Sequence, residues 1–359
     1  MAFAARLKAA YPWILTPLVV GAPMRLIATV PLTIEISRAG GFGFLGAGSD
    51  TSTLDSDLEN IHAHFTERPL PNAPSPSTRI LPVGVGFLNW GANLEAAVAA
   101  IARYPPAAVW FFAPRSTNDL VTWTTKVREA TGGRTKVWVQ VGTVANAVEV
   151  TRACQPHVLV VQGSDAGGHG LAQGASIITL LPEVADVIDS LDMPGHEKPM
   201  LVAAGGIADG RGAAAALALG AEGVVMGTRF LAAHEADIAN GYRNEVLRAW
   251  DGGKTTMRTS VYDQLRGTTD WPPGYNARGV LNRSWVDAEN GMGWEENKKL
   301  YQEAVRLGDL GWGPEGRITT YAGTGVGLVK EVKKAGDIVA EVRSAAKEVA
   351  QRVSTMSFE

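Results

Sequence analysis

The fold class this sequence predicts is α/β, a closed parallel (β/α)8 barrel, and three observations predict it. Eight short apolar runs alternate with helical patterns, the runs are continuous and rich in Val rather than alternating, and the last three end in glycine. Continuous apolar strands are buried on both faces, the condition of a parallel sheet wrapped in helices. The strands fall at residues 17–22, 42–45, 81–87, 107–112, 136–141, 158–162, 200–203 and 223–226, with helical patterns between them at 34–39, 94–102, 119–130, 144–153, 177–188 and 212–219. An open doubly wound sheet satisfies the same periodicity, since periodicity does not prove closure.

After Phe230 the texture changes. Residues 231–317 hold five of the ten tryptophans (Trp250, Trp271, Trp285, Trp294 and Trp312) and no clear strand, which reads as a mainly helical insertion after strand 8. Amphipathic order returns at 326–334 and 336–352, read as the eighth barrel helix and a C-terminal helix. The expected division is a barrel of 1–230 and 318–359 with an inserted substrate or lid domain of 231–317. The proline-rich stretch 69–76 and the segment 191–198 read as surface loops.

Composition excludes several function classes. A chain of 359 residues, 46% hydrophobic and 19% charged with net charge -3, has length for a large core and no basic stripe to track a phosphate backbone, so nucleic acid is not an expected partner. The single cysteine, Cys154, rules out internal disulfides, fits a reducing, cytoplasmic setting, and reads as a small buried hydrophobe in a helix. Arg6 and Lys8 in an Ala-rich start, with no acid before Glu35, raise a short mitochondrial presequence, against which Pro12 and Pro17 argue; about ten residues are left as an arm. No run approaches a membrane span. The sequon at Asn282 is a chance match in a chain without a secretory signal.

The chemistry concentrates at strand ends. Residues 160–170 run from Val160 into Gly163-Ser-Asp-Ala-Gly167-Gly168-His169-Gly170, a loop able to lie flat on a planar ligand and aim an imidazole at it. Gly205 and Gly206 after strand 7, and Gly227 and Thr228 after strand 8, offer backbone N–H groups and a hydroxyl to one phosphate monoester. The plainer role of such glycines is close helix–strand packing. Gly41-Phe-Gly43-Phe-Leu-Gly46 matches the dinucleotide pattern in inverted context: it follows a helix and enters a strand, and so reads as a helix C-cap and tight turn. His169 carries an imidazole, the side chain whose unperturbed pKa lies near neutrality, and so suits proton abstraction from a carbon beside an electron-withdrawing group; its plainer role is a structural hydrogen bond. His62, His64, His157, His196 and His234 read as surface or capping residues, and no pair has metal-ligand spacing, so no metal is expected.

Ala22-Pro23-Met24, Asn89, Gln140, the 163–170 loop, 203–207 and Met226-Gly-Thr-Arg-Phe230 fall at successive strand ends, and together they resemble the nitronate monooxygenase family, formerly the 2-nitropropane dioxygenases. The resemblance runs from Gly21 to about Phe230 and returns at Tyr321-Ala-Gly323. It implies a TIM barrel holding FMN, with the phosphate on Gly205, Gly206, Gly227 and Thr228, and the flavin against Ala22, Pro23 and Met24, Asn89, Gln140, Gly167 and Gly168. It further implies His169 as the catalytic residue, Tyr321 in the substrate pocket, and oxidation of an alkyl nitronate or nitroalkane with O2 to a carbonyl compound and nitrite. A monomer or homodimer is expected. Asp165 and Gly170 depart from the family, which more often has glutamate before the Gly-Gly-His and a larger residue after it. NAD(P)H-dependent quinone reductases and enoyl-acyl-carrier-protein reductases share the barrel and its loop. An IMP dehydrogenase-like barrel would need a cysteine where this loop has His169, and a non-catalytic flavin-binding protein has the same fold.

Overall fold

The structure, a computed structural model, describes residues 2–74 and 80–356, with side chains from Arg6 onward. Eight parallel strands close into a barrel: β1 (Leu18–Gly21), β2 (Phe42–Gly48), β3 (Leu81–Leu88), β4 (Pro106–Phe112), β5 (Lys136–Val141), β6 (Val158–Gln162), β8 (Met200–Ala204) and β9 (Gly223–Met226). Closure is made where Leu18 to Gly21 pair in register with Gly223 to Met226. A further strand, β7 (Gly168–Leu171), leaves the end of β6 and stands outside the barrel. All eight expected barrel strands are present, and the open doubly wound alternative is excluded by the β1–β9 pairing.

Each barrel strand buries both faces, and the two faces do different jobs. Outward residues such as Val85, Val109, Val139 and Val161 meet the surrounding helices. Inward residues include Phe42, Phe44, Trp110 and Trp138, which meet Tyr11 and Trp13 from the chain start in one aromatic cluster. Trp138 Nε1–H donates to the Tyr11 hydroxyl at 2.7 Å, and its ring lies 5.4 Å from Phe42 and 5.0 Å from Phe44. β3 presents Gly84 where a β-carbon would strike the Phe44 ring, so a large ring is matched by an absent side chain. The barrel's own interior is thereby filled at its N-terminal end, and space inside the barrel is left toward the C-terminal mouth. The arm expected at the chain start is instead the helix Ala2–Ala10, whose Leu7 is fully buried and belongs to this cluster.

Helices occupy the expected intervals, with one correction at the C-terminus. Residues 326–334 do not form the eighth barrel helix; only a 3-10 turn, Thr324–Leu328, is found there. The helix Ala335–Ser354 takes that place, packing closely on Gly210 of the helix Gly210–Ala218 and donating from Arg343 to the Ala39 carbonyl at 3.1 Å. The Gly41–Gly46 stretch lies as read: Gly40 follows the helix Val30–Arg38 at φ +75°, and Gly43 lets β2 run against the Thr33 backbone. Of the proline-rich loop, residues 69–74 are irregular and the remainder lies outside the described residues.

The insertion is mainly helical but not free of strands. Besides the helices Asn240–Arg248, Val261–Arg266, Arg283–Glu289 and Trp294–Arg306 it contributes β10 (Thr256–Thr259) and β11 (Tyr275–Val280). Those two form an antiparallel sheet with β7, in the order β10–β11–β7. Their sequences, TMRT and YNARGV, put arginines at cross-strand positions and show no apolar alternation, which is why periodicity does not reveal them.

One buried acid lies at the start of β9. The Glu222 side chain is 4% exposed, its Oε2 has no hydrogen-bond partner and its Oε1 is 3.9 Å from Arg6, so burial pushes its pKa from 4.5 up to about 7. The folded chain then holds this proton more tightly than the unfolded one, and stability falls as pH rises from about 4.5 to about 7. Thermal melts of Glu222→Gln are expected to match the parent at pH 4 and to exceed it at pH 8. An equal gain at both values would contradict a buried charge.

Candidate active site

The C-terminal mouth is built from backbone before side chains. Gly205 and Gly206, just past β8, adopt φ +103° and +74°, where a side chain is strained. A β-carbon on Gly205 would also fall 2.8 Å from the Gly163 carbonyl oxygen. Neither their N–H groups nor that of Gly227 donates to a backbone carbonyl among the described residues. Gly227 faces Ala22 and Met24, with the positions of a β-carbon 3.6 Å from Ala22 Cβ and 3.8 Å from Met24 Sδ. Ala22 is fixed by its N–H to the Met226 carbonyl at 3.0 Å, and Pro23 packs on Gly86. The first-strand segment and the two glycine ends therefore converge on one concavity rimmed by unused donors, a set suited to an anion.

Asn89 and Gln140 line up beside it at the ends of β3 and β5. Asn89 is 3% exposed; its Oδ1 accepts from Phe112 N–H at 2.9 Å, which fixes the amide orientation and leaves Nδ2 buried with no partner. An orphaned buried donor costs about 1–3 kcal/mol unless a ligand supplies the acceptor. Gln140 Oε1 accepts from Trp110 Nε1–H at 3.1 Å. Thr228 Oγ1 accepts from Gly323 N–H at 3.0 Å. Gly167 packs against the Ala322–Gly323 backbone, while Gly168, at φ +69°, has open space where a side chain would stand.

The loop carrying His169 is held by the insertion. β7 pairs with β11, His169 lying opposite Ala277 and Gly168 opposite Arg278. On the other face of this sheet Arg258 and Arg278 sit directly opposite each other. Both guanidinium groups donate to the Ser164 carbonyl, and Arg258 also to Ala166. Burial, with the neighbouring Arg278, pushes Arg258 down to about 10. A β-carbon on Gly170 would come within 2.5 Å of Gln162 Oε1 and 2.8 Å of the Arg258 guanidinium.

His169 faces a cluster that the sequence reading assembled only in part. Its Nε2 lies 2.9 and 3.0 Å from the two carboxylate oxygens of Asp263. The Tyr321 hydroxyl donates to the same carboxylate at 2.9 Å and Thr268 Oγ1 at 3.0 Å. A carboxylate surrounded by donors accepts, so Nε2 carries a proton and donates it to Asp263, and Nδ1 is the nitrogen turned away from the carboxylate. Burial and the Asp263 charge hold Tyr321 well above the usual phenol range, so it stays a donor. Trp271 stacks on the imidazole with ring centroids 3.7 Å apart and planes 10° from parallel, and Trp90 lies 5.4 Å beyond. Asp263 is 6% exposed, between buried Tyr262 and Leu265 of a six-residue helix. That flanking by two core positions was the available signal for it.

The remaining histidines are apart from this cluster. His64 accepts from Arg38, His62 packs on Tyr104, and His196 and His234 are exposed. No group that could hold a metal ion occurs among the described residues.

An imidazole–carboxylate pair at the C-terminal mouth of a (β/α)8 barrel, on the same mouth as glycine N–H groups without backbone partners, is the arrangement of a barrel enzyme. Comparison with known proteins narrows the class. Residues 87–342 match the family model described as nitronate monooxygenase, and the chain belongs to that family and is an oxidoreductase. It is 48% identical to the nitronate monooxygenase npaC of Metarhizium robertsii, over 94% of this chain and 93% of that one. It is 36% identical to a nitronate monooxygenase of Neurospora crassa, over 98% and 95%. In structure it resembles FabK from Thermotoga maritima (TM-score 0.70, 24% identity, 97% and 98% covered) and a nitroalkane oxidase from Streptomyces ansochromogenes (TM-score 0.68, 21% identity, 97% and 99% covered), a likeness of fold.

Proposed function

We propose that this chain binds FMN at the C-terminal mouth and oxidises alkyl nitronates, and nitroalkanes after deprotonation, with O2 to a carbonyl compound and nitrite. The observation that carries the reading is the His169–Asp263 pair set beside unused donors in a member of this family. The phosphate would lie on the N–H groups of Gly205, Gly206 and Gly227 with the Thr228 hydroxyl. The ring system would lie against Ala22, Pro23 and Met24, with Asn89 Nδ2 as donor and Gln140, Gly167 and Gly168 at its border. FMN, when bound, supplies the electron transfer between nitronate and oxygen.

The protein's own residues handle protons and position. His169 Nδ1 takes the α-proton of a neutral nitroalkane while Nε2–H stays on Asp263. The resulting imidazolium faces the nitronate anion as a counter-charge. Asp263 fixes the tautomer and ring orientation without taking the proton, and Tyr321 O–H holds the carboxylate in place. Trp271 covers one face of the imidazole and, with Tyr321, borders the substrate space. Residues 231–317 act as the lid over the barrel of 1–230 and 318–359, and narrow entry to small substrates. The protein works as a monomer or homodimer in a reducing, cytoplasmic compartment, in keeping with its one buried cysteine. No helix among the described residues is long and apolar enough to cross a membrane.

Three experiments test this. Mass spectrometry of the ligand released from purified protein is expected to give FMN; a dinucleotide, or no flavin after reconstitution, would contradict the cradle. Gly227→Val, whose β-carbon meets only ordinary contacts in the protein, is expected to fold and to lose flavin retention. His169→Asn is expected to lose about 10²- to 10⁴-fold in kcat/KM on a neutral nitroalkane and much less on the preformed nitronate. Equal losses would make His169 a binding group, and rapid reduction by NADH with no nitronate turnover would favour the reductases.

A further inference from the structure

The opposite end of the barrel holds a second cavity that the reaction does not use. It lies beneath the starts of β5, β6 and β8, has a volume of about 600 Å³, and is lined by Arg6, Arg128, Lys136, His157, His196 and Lys198, with Glu197 as its one acid. Four permanent cations against one carboxylate is a local excess of positive charge in a chain whose net charge is -3. The size falls within that of small-molecule sites, roughly 300–1,000 Å³.

Among the described residues, Arg6 is the one of these cations with acidic partners, and it also donates to the Lys198 carbonyl. Arg6 is 3.9 Å from both Glu197 and Glu222, too far for hydrogen bonding, and Glu197 is almost wholly in solvent at 94% exposure. Arg128 donates to the Gln155 carbonyl at 2.6 Å and Lys198 to the Asp189 carbonyl, both neutral acceptors. Lys136, half-buried at the start of β5, makes no hydrogen bond or ion pair among the described residues. His157 Nδ1 accepts from Val137 N–H at 3.1 Å, so Nε2 carries the proton. Burial, with Lys136 and Arg128 alongside, pushes His157 down to about 4, leaving it a neutral donor at pH 7. Partly desolvated cations such as Arg128 and Lys136, which have no acidic partner among the described residues, keep an unmet attraction for an anion.

The donor set specifies the anion. Two planar guanidinium groups, two ammonium groups and an imidazole N–H lining one cavity match the several oxygens and multiple charge of phosphate, and would leave a monovalent anion underbound. We propose that this N-terminal mouth is a binding site for a multiply charged phosphate compound, separate from the catalytic mouth and filled independently of it.

The test uses the flavin-loaded protein at fixed ionic strength, with inorganic pyrophosphate and ADP as probes in calorimetry and thermal melts. Saturable binding of one equivalent of pyrophosphate, with a rise in Tm, is expected. Lys136→Glu removes a side chain without partners and should fold, keep full nitronate turnover and weaken pyrophosphate at least about tenfold, one charge-assisted contact being worth roughly 1.5–3 kcal/mol. Tighter binding of ADP than of pyrophosphate would assign the site to a phosphate ester, and equal binding to the phosphate group alone. In NMR, bound pyrophosphate should raise the His157 titration from its low value. Binding that does not saturate, survives Lys136→Glu unchanged, or expels the flavin would overturn the proposal. These outcomes do not depend on the reaction assigned to the catalytic mouth.

Discussion

The pairing of β7 with β11 is the constraint on which the rest of the site depends. β7 is only four residues long and leaves the barrel at once, so nothing in the barrel alone holds His169 in a fixed orientation. Adding it to the two strands of the insertion fixes its backbone, and the alternation of a strand then sends His169 to one face and leaves Gly168 and Gly170 on the other. The glycine face admits Arg258 and Arg278, which tie down the Ser164–Ala166 carbonyls. The histidine face meets Asp263, Trp271 and Tyr321, all from beyond the last barrel strand. An insertion that looks like an accessory is thus required for the imidazole to have a defined tautomer.

The barrel itself separates packing from chemistry along its axis. Aromatic rings fill its N-terminal end, where Tyr11, Phe42, Phe44 and Trp138 touch, and truncating a ring of that size typically costs about 3–5 kcal/mol. At the other end β8 finishes in Gly205 and Gly206 at positive φ, and their N–H groups, like that of Gly227 after β9, donate to no backbone carbonyl among the described residues. Rigidity below supports open donors above, an arrangement in which a ligand meets groups already in position.

The strands were legible in the sequence because burial on both faces writes a continuous apolar run, as in Val158 to Val161. Gly205 and Gly206, and the glycine loop carrying His169, were readable because they follow strand ends, whereas Asn89 and Gln140 were indicated only by the family resemblance. β10 and β11 were not legible: a small sheet whose strands carry Arg258 and Arg278 at paired positions has no hydrophobic period to detect. Asp263 was hidden for a different reason. It lies 94 residues from His169, and only the folding of the insertion onto β7 brings the two side chains together. The C-terminal segment misled because the amphipathic pattern at 326–334 is satisfied by a buried 3-10 turn and extended chain, with Val326 and Val329 in the core.

The central claim is that His169 and Asp263 act as one unit, and a double-mutant cycle measures it most directly. The kcat/KM of His169→Asn, Asp263→Asn and the double variant would be determined on a neutral nitroalkane, with the preformed nitronate as reference. Asn at 263 offers an N–H to Nε2 in place of a carboxylate, which favours the tautomer protonated on Nδ1 and so disables the base. The account predicts that Asp263→Asn alone lowers the nitroalkane reaction on the order of 10²-fold or more. It predicts almost no further loss once His169 is already Asn. Losses that simply multiply in the double variant, or that fall equally on the preformed nitronate, would contradict it.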